Sequence, residues 1–173
     1  MTTAMPAKET TRNDPVAQQH GKSAADGITG LMSFLLSQAV SLNDKVGENW
    51  TRKQFGLNLA EWRVLALVAC LPDPNVQDIR QKLFYDKGMM SRITKRLVAE
   101  GLITSEKSAV NHRVRALRLT EEGQQLYEQM FQVAIERNRI AEDFLRPDEI
   151  TQLKKLLTKY EAELRKWQDL RKP

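Results

Sequence analysis

The sequence is poor in the groups that usually carry chemistry. One cysteine, Cys70, stands in 173 residues, so no internal disulfide can form, which suits a reducing cytoplasm. The two histidines, His20 and His112, lie far apart in a tail and a turn. A metal site needs clustered ligands, and none are seen. HExxH, CxxC, P-loop and G-x-S-x-G patterns are all missing, so neither a catalytic constellation nor a cofactor is expected. Long hydrophobic runs are missing too. The longest, Val64 to Leu71, falls far short of the roughly 20 residues of a membrane helix. Without an apolar h-region at the N-terminus, secretion is not expected, and the anticipated location is the cytoplasm.

What is present divides into four stretches. Residues 1–26 hold Thr, Ala, Gln, Lys and Asp with two prolines and little to pack, and read as a disordered arm. Lys8, Arg12 and Lys22 offer it a contact to DNA, although an inert tail is the preferred reading. Residues 27–57 keep helical apolar spacing through Ile28, Leu31, Met32, Leu35, Leu36, Ala39, Leu42 and Val46, with Phe34 widening the face and Gly56 closing it. Residues 58–120 hold shorter elements. Asn58 and Glu61 resemble a capping box ahead of an apolar helix, Leu59 to Cys70, which Pro72-Asp73-Pro74 stops. Cys70 lies away from basic neighbours that would lower its pKa, so a buried structural thiol is expected rather than a redox sensor. Asn75 can cap a short helix with Ile79 and Leu83 inward, and Phe84-Tyr85 form a turn. Residues 121–173 give two amphipathic helices broken at Arg146-Pro147-Asp148, with Thr120 as the first cap.

The stretch from Asp86 to Thr120 organises the rest. Asp86 can cap a helix in which Met90, Ile93 and Leu97 share one face. Lys87, Met89, Ser91, Arg92, Lys95 and Arg96 then point elsewhere. Gly101 suits a left-handed stop, and a hairpin with its tip at Ala109 to His112 follows. Between Arg80 and Arg118 stand ten basic and three acidic residues, a net +7 against +5 for the whole chain, so the remainder carries −2. A basic helix and hairpin on an otherwise acidic chain form a footprint for a phosphate backbone. A short helix, a tight turn, a second helix and a hairpin are the order of a winged helix-turn-helix. The expected fold is mainly α with a small β-wing, the core being flanked by long dimerisation helices. Those apolar-striped helices at both ends are read as contacts to a second copy.

GLNLAEWRVL, MSRITKRLVAEGLI and NHRVRALRLTEEG resemble the MarR family of bacterial transcriptional regulators, over roughly Ile28 to Trp167. The resemblance implies a homodimeric repressor on a palindromic double-stranded DNA operator. Lys87, Met89, Ser91, Arg92, Lys95 and Arg96 would sit on or beside the recognition helix, with His112, Arg113 and Arg115 on the wing and Arg113 in the minor groove. It also implies a small effector, an aromatic acid or its thioester, in a pocket between the dimer helices and the DNA lobe. Met32, Phe34, Leu35, Trp62 and Arg63 are the candidate lining. Three positions depart from the family pattern: Asn111 where the wing usually has an aspartate, Ser105 where an arginine is common, and Arg80 where a small residue is usual. The alternative reading is an architectural module that binds nucleic acid without regard to sequence and has no effector.

Overall fold

The computed structural model describes residues 27–111 and 113–170, save the side chains of 169 and 170. The proposed arm over residues 1–26 and His112 lie outside the described residues. The chain divides into two compact units, residues 1–59 and 60–173.

In the first unit a short 3-10 turn at Gly27–Gly30 precedes helix α1, Met32–Phe55. Gly56 ends α1 in the left-handed region at φ 70°, where a side chain would be strained. Glu48 reaches forward from α1, and its carboxylate accepts the Leu59 backbone N–H at 2.7 Å. That bond holds the carboxyl below the ordinary glutamate value.

The second unit carries most of helix α2, Leu59–Cys70, then α3, Val76–Leu83, and α4, Lys87–Ala99. Strands β1, Ile103–Lys107, and β2, Arg115–Leu119, follow, and helices α5, Glu121–Glu142, and α6, Pro147–Leu170, end it. Three of the expected caps are present, at Asn75, Asp86 and Thr120. Asn75 and Asp78 close a full capping box on α3, Asp86 Oδ1 accepts the Met89 N–H at 2.7 Å, and Thr120 Oγ1 accepts the Gly123 N–H at 3.0 Å. Each satisfies a helix-end donor that would otherwise need water. Val64, Leu65, Ile79, Met90, Leu97, Ile103, Leu117 and Met130 are fully buried, so α2 to α5 and both strands contribute to the core.

Glu61 departs from expectation. Instead of serving only a local cap, it lies buried with Oε1 3.0 Å from Arg96 Nη1. Cys70 is a correction: its thiol is exposed, not buried, and lies 3.4 Å from the Tyr127 hydroxyl. The inward stripe of α2 runs through Val64, Leu65 and Val68, and Cys70 falls beyond it at the helix end.

The strands pair antiparallel, with Ile103 opposite Leu119 and Lys107 opposite Arg115. The hairpin is also tied to the loop before α3. Leu117 N–H donates to the Pro74 carbonyl at 2.7 Å, and Asn75 bridges to Ala116. Asp73, left-handed at φ 49°, accepts the Ser108 hydroxyl, pairs with Arg118 and receives the Val110 N–H at 3.5 Å. A loop expected only to stop a helix is thus the anchor of the wing.

The start of α5 is pressed against the entry to β1. Thr120 N–H donates to the Leu102 carbonyl at 3.1 Å, and a Cβ on Gly123 would lie 1.9 Å from that carbonyl oxygen. Because the obstacle is backbone, Gly123→Ala should destabilise by about 1–3 kcal/mol or more, read as a lower urea midpoint. An unchanged midpoint would contradict this close approach.

The Asp73 cluster gives a pH prediction. Ser108 chiefly holds its carboxyl below the ordinary aspartate value of 3.8. A carboxylate whose pKa is depressed by folding contributes fully above its unfolded value and loses that contribution as pH falls through the folded one. Asn tolerates the left-handed backbone, so Asp73→Asn isolates the charge. The stability difference between wild type and Asp73→Asn should be constant from neutral pH to about pH 4 and shrink below it. Urea midpoints across that range that differ equally at every pH would contradict the brace.

Candidate nucleic-acid interface

Helix α4 separates its residues by face. Met90, Ile93 and Leu97 are buried, while Lys87, Ser91, Arg92 and Lys95 are exposed and Met89 is half-buried. The buried stripe fixes how the helix lies on the core, and the 3.6-residue period then turns the cations outward. Among the described residues no carboxylate pairs with Lys87, Arg92 or Lys95.

Arg96 sits apart from that outward set. Its guanidinium is held by buried Glu61 at 3.0 Å, with Glu100 at 3.8 Å. Removing one member of an ion pair with a buried end costs more than losing a surface ion pair, because the buried charge loses a compensating partner. The geometry gives Arg96 the work of tying α4 to α2.

Gly101 turns the chain at φ 71°, and the Leu102 N–H donates to the Leu97 carbonyl at 2.9 Å. The wing follows at once, so its position is tied to the end of α4. Ser108 Oγ accepts the Val110 and Asn111 N–H groups at 3.2 and 2.9 Å. Asn111 Oδ1 takes the Arg113 backbone N–H at 3.1 Å. The residue at the usual aspartate position therefore braces the backbone of the tip and leaves the exposed Arg113 side chain without a described carboxylate. Arg115 lies along the strand: its Nε donates to Ser105 Oγ at 3.0 Å, and an Nη reaches the Ser105 carbonyl. Ser105 thus engages the guanidinium of Arg115, one of the three wing residues expected to meet DNA. Asp73 and Ser108, which hold the wing, were not among the expected site residues. The Pro-Asp-Pro spelling offered a turn signal, but no sign of a partner 35 residues away.

The candidate effector residues fall in both units. Met32 and Leu35 are exposed on α1 and Phe34 is half-buried there. Trp62 and Arg63 belong to α2 in the second unit, and Arg63 is half-buried. Trp62 is buried and stacks on Tyr127 at 5.9 Å between centroids, with Phe131 stacked beyond at 5.4 Å. The hydrogen bond with Cys70 and burial push the Tyr127 phenol up to about 12. Within its own unit, Trp62 is therefore one rung of an aromatic ladder joining α2 to α5.

Comparison with known proteins agrees with this architecture. Residues 57–114 match the MarR family, a span that takes in α2 to α4, β1 and the wing tip. The HTH-type transcriptional regulator FarR of Neisseria gonorrhoeae is 31% identical over 109 residues, 63% of this chain and 72% of FarR. A MarR/EmrR family transcriptional regulator from Acinetobacter sp. ADP1 superposes with a TM-score of 0.73 at 28% identity, covering 78% of this chain and 94% of that one. MepR of S. aureus, solved as a complex with DNA, gives a TM-score of 0.70 at 19% identity over 80% of this chain and 99% of MepR; identity that low speaks for the fold alone. The reach of the FarR match beyond the helix-turn-helix, together with a wing built in the same chain order, makes this chain a member of the MarR family of transcriptional regulators.

Proposed function

We propose that the protein is a homodimeric repressor that binds a palindromic DNA operator through α4 and the wing and is released by a small anionic aromatic ligand. The observation that carries the DNA reading is the group of exposed cations on α4 and at the wing tip that have no carboxylate partner among the described residues. Phosphates would supply the missing charge, and counterion release would favour the complex. Arg92 and Met89 are assigned to base edges, Arg92 to guanine and Met89 to a thymine methyl group. Arg113 is assigned to a narrow A·T-rich minor groove, where negative potential is concentrated. MepR, which shares the fold, has been solved with DNA.

The dimer reading is supported by apolar stripes that the single chain leaves open. On α1, Met32, Leu35, Leu42 and Val46 are 43–64% exposed, and on α6 Leu153, Leu156, Leu157, Leu164 and Trp167 are 43–65% exposed. Contiguous exposed apolar surface of this kind marks an association face. The domain reading follows from it, with residues 27–57 and 121–173 supplying the dimer core around the helix-turn-helix of residues 58–120. The effector reading comes from the family resemblance, and residue type supports it in each unit by itself: Met32, Phe34 and Leu35 are adaptable apolar groups in the first, and Trp62 and Arg63 offer an aromatic ring and a cation suited to a carboxylate in the second.

The decisive experiment selects a duplex from a randomised pool with the purified protein. A palindromic consensus is expected, and binding without sequence preference would favour the architectural alternative. On the selected duplex, Arg113→Ala should weaken binding about tenfold at physiological ionic strength with the thermal midpoint unchanged. Full affinity in that variant would remove Arg113 from the interface. Truncation after Arg146 deletes the α6 stripe and should give a monomer that has lost tight binding to the selected palindrome. A truncated protein that still sediments as a dimer would contradict the assignment of α6. Ligand release is tested by linkage: an aromatic acid found by thermal shift must bind less tightly in the presence of operator, by the same factor by which it weakens operator binding. Equal ligand affinity with and without DNA would rule out release by that ligand.

A further inference from the structure

The arginines of the described chain differ in their company. Arg52, Arg96, Arg118, Arg139, Arg146 and Arg165 each sit against a carboxylate. Arg80, Arg92, Arg113 and Arg115 have no carboxylate at ion-pair distance among the described residues. The last three lie on α4 and the wing. Arg80 lies on α3, a helix that the sequence reading assigned no contact.

Arg80 opens onto a cleft of about 290 Å³ between α3 and α4, shared with Lys87, Ser91 and Lys95 of the recognition helix and with Gln77 of its own. Met90 lines the same cleft and is fully buried. Gln77 Oε1 accepts the Arg80 Nε–H at 3.0 Å, which orients the guanidinium and leaves its terminal nitrogens uncommitted among the described residues. Lys87 and Lys95 also have no acidic partner there. Three cations around one cleft with no acid between them repel one another in the free protein, and an anion seated among them relieves that repulsion.

We propose that this cleft holds a phosphodiester of the DNA backbone and that Arg80 is a DNA contact supplied by the scaffold helix. The proposal rests on the DNA-binding reading above and adds to it a division of labour along α4. Lys87, Ser91 and Lys95 recur every fourth residue and therefore share the side that faces α3. With Arg80 they grip one strand's backbone, while Arg92, which does not line the cleft, is left for bases. An arginine suits this place better than a lysine in geometry, since its planar fork can hold two phosphate oxygens, but either supplies the charge.

The test measures binding of the pool-selected duplex across a salt series for wild type, Arg80→Ala, Arg80→Lys and Arg92→Ala. Arg80→Ala should weaken binding about tenfold and reduce the slope of log affinity against log salt by about 0.9, equally across single-base variants of the duplex. Arg80→Lys should restore the slope. Arg92→Ala should instead lose discrimination at one base position. Duplexes carrying one neutral methylphosphonate linkage at each position in turn should reveal one linkage that weakens wild type but adds nothing to the loss in Arg80→Ala. Arg80→Gln, which keeps an amide donor, covers the case in which the alanine variant misfolds. Unchanged affinity and slope in Arg80→Ala, while Arg113→Ala is impaired, would overturn this proposal alone. Weaker binding with an unchanged slope would make Arg80 structural and overturn it equally. Thermal stabilisation by inorganic phosphate that Arg80→Ala abolishes without altering the salt slope would assign the cleft to a free anion instead. A wild type that binds no duplex would remove both the proposal and the reading beneath it.

Discussion

One carboxylate between two prolines decides where the wing stands. Asp73 collects the Ser108 hydroxyl, the Arg118 guanidinium and the Val110 N–H from a hairpin more than thirty residues away. Beside it, the Leu117 N–H donates to the Pro74 carbonyl. A two-stranded ribbon is marginal on its own. Here it gains a third partner along β2 and an anionic post at its tip. The flanking prolines limit the backbone freedom of that post.

A second tie operates on α4. Glu61 is buried and its partner Arg96 comes from the recognition helix, so the helix is held to the core by charge as well as by Met90, Ile93 and Leu97. Apolar packing sets the depth of a helix but constrains its rotation weakly. An ion pair with one buried end opposes rotation, since a turn of α4 would pull the Arg96 guanidinium away from the buried Glu61 carboxylate. The outward set of Lys87, Ser91, Arg92 and Lys95 is therefore presented at a defined angle. This pre-organisation is what the proposed interface needs if charge and base contacts are to form together.

Charge is sorted across the second unit in a way that net charge hides. Arg139 on α5 and Arg165 on α6 are neutralised by Glu136 and Glu161, three or four residues away on the same helix, and Arg146, just ahead of α6, by Glu149. Arg80, Lys87, Arg92, Lys95 and Arg113 have no such partner among the described residues, while Arg96 of α4 is taken up by Glu61 and Glu100. Among the arginines, those of α3, the outward side of α4 and the wing tip are therefore the ones left to a partner, and the long helices keep apolar stripes that the single chain leaves exposed.

Much of this was legible in local sequence. Asn75, Asp86 and Thr120 as caps, Gly56 and Gly101 as left-handed stops, and the buried face Met90–Ile93–Leu97 all follow from spacing and residue type, because each depends on neighbours within about four residues. The family resemblance likewise rested on contiguous strings around α4 and the wing. What spacing could not show were pairings across the fold. Glu61 looked like a cap residue until Arg96 was brought beside it, and Asp73 looked like a helix stop until the hairpin came round to meet it. Cys70 looked buried because its neighbours are apolar, but it falls at the end of α2 beyond the inward stripe and is exposed beside Tyr127. Helices, turns and the location of charge were determined by the sequence alone, since short-range hydrogen bonding and periodicity encode them. Which charges are consumed inside the protein, and which are left for a partner, only the tertiary structure decided, because a salt bridge depends on distance in space and the chain places residues 35 or 45 positions apart within reach of one another.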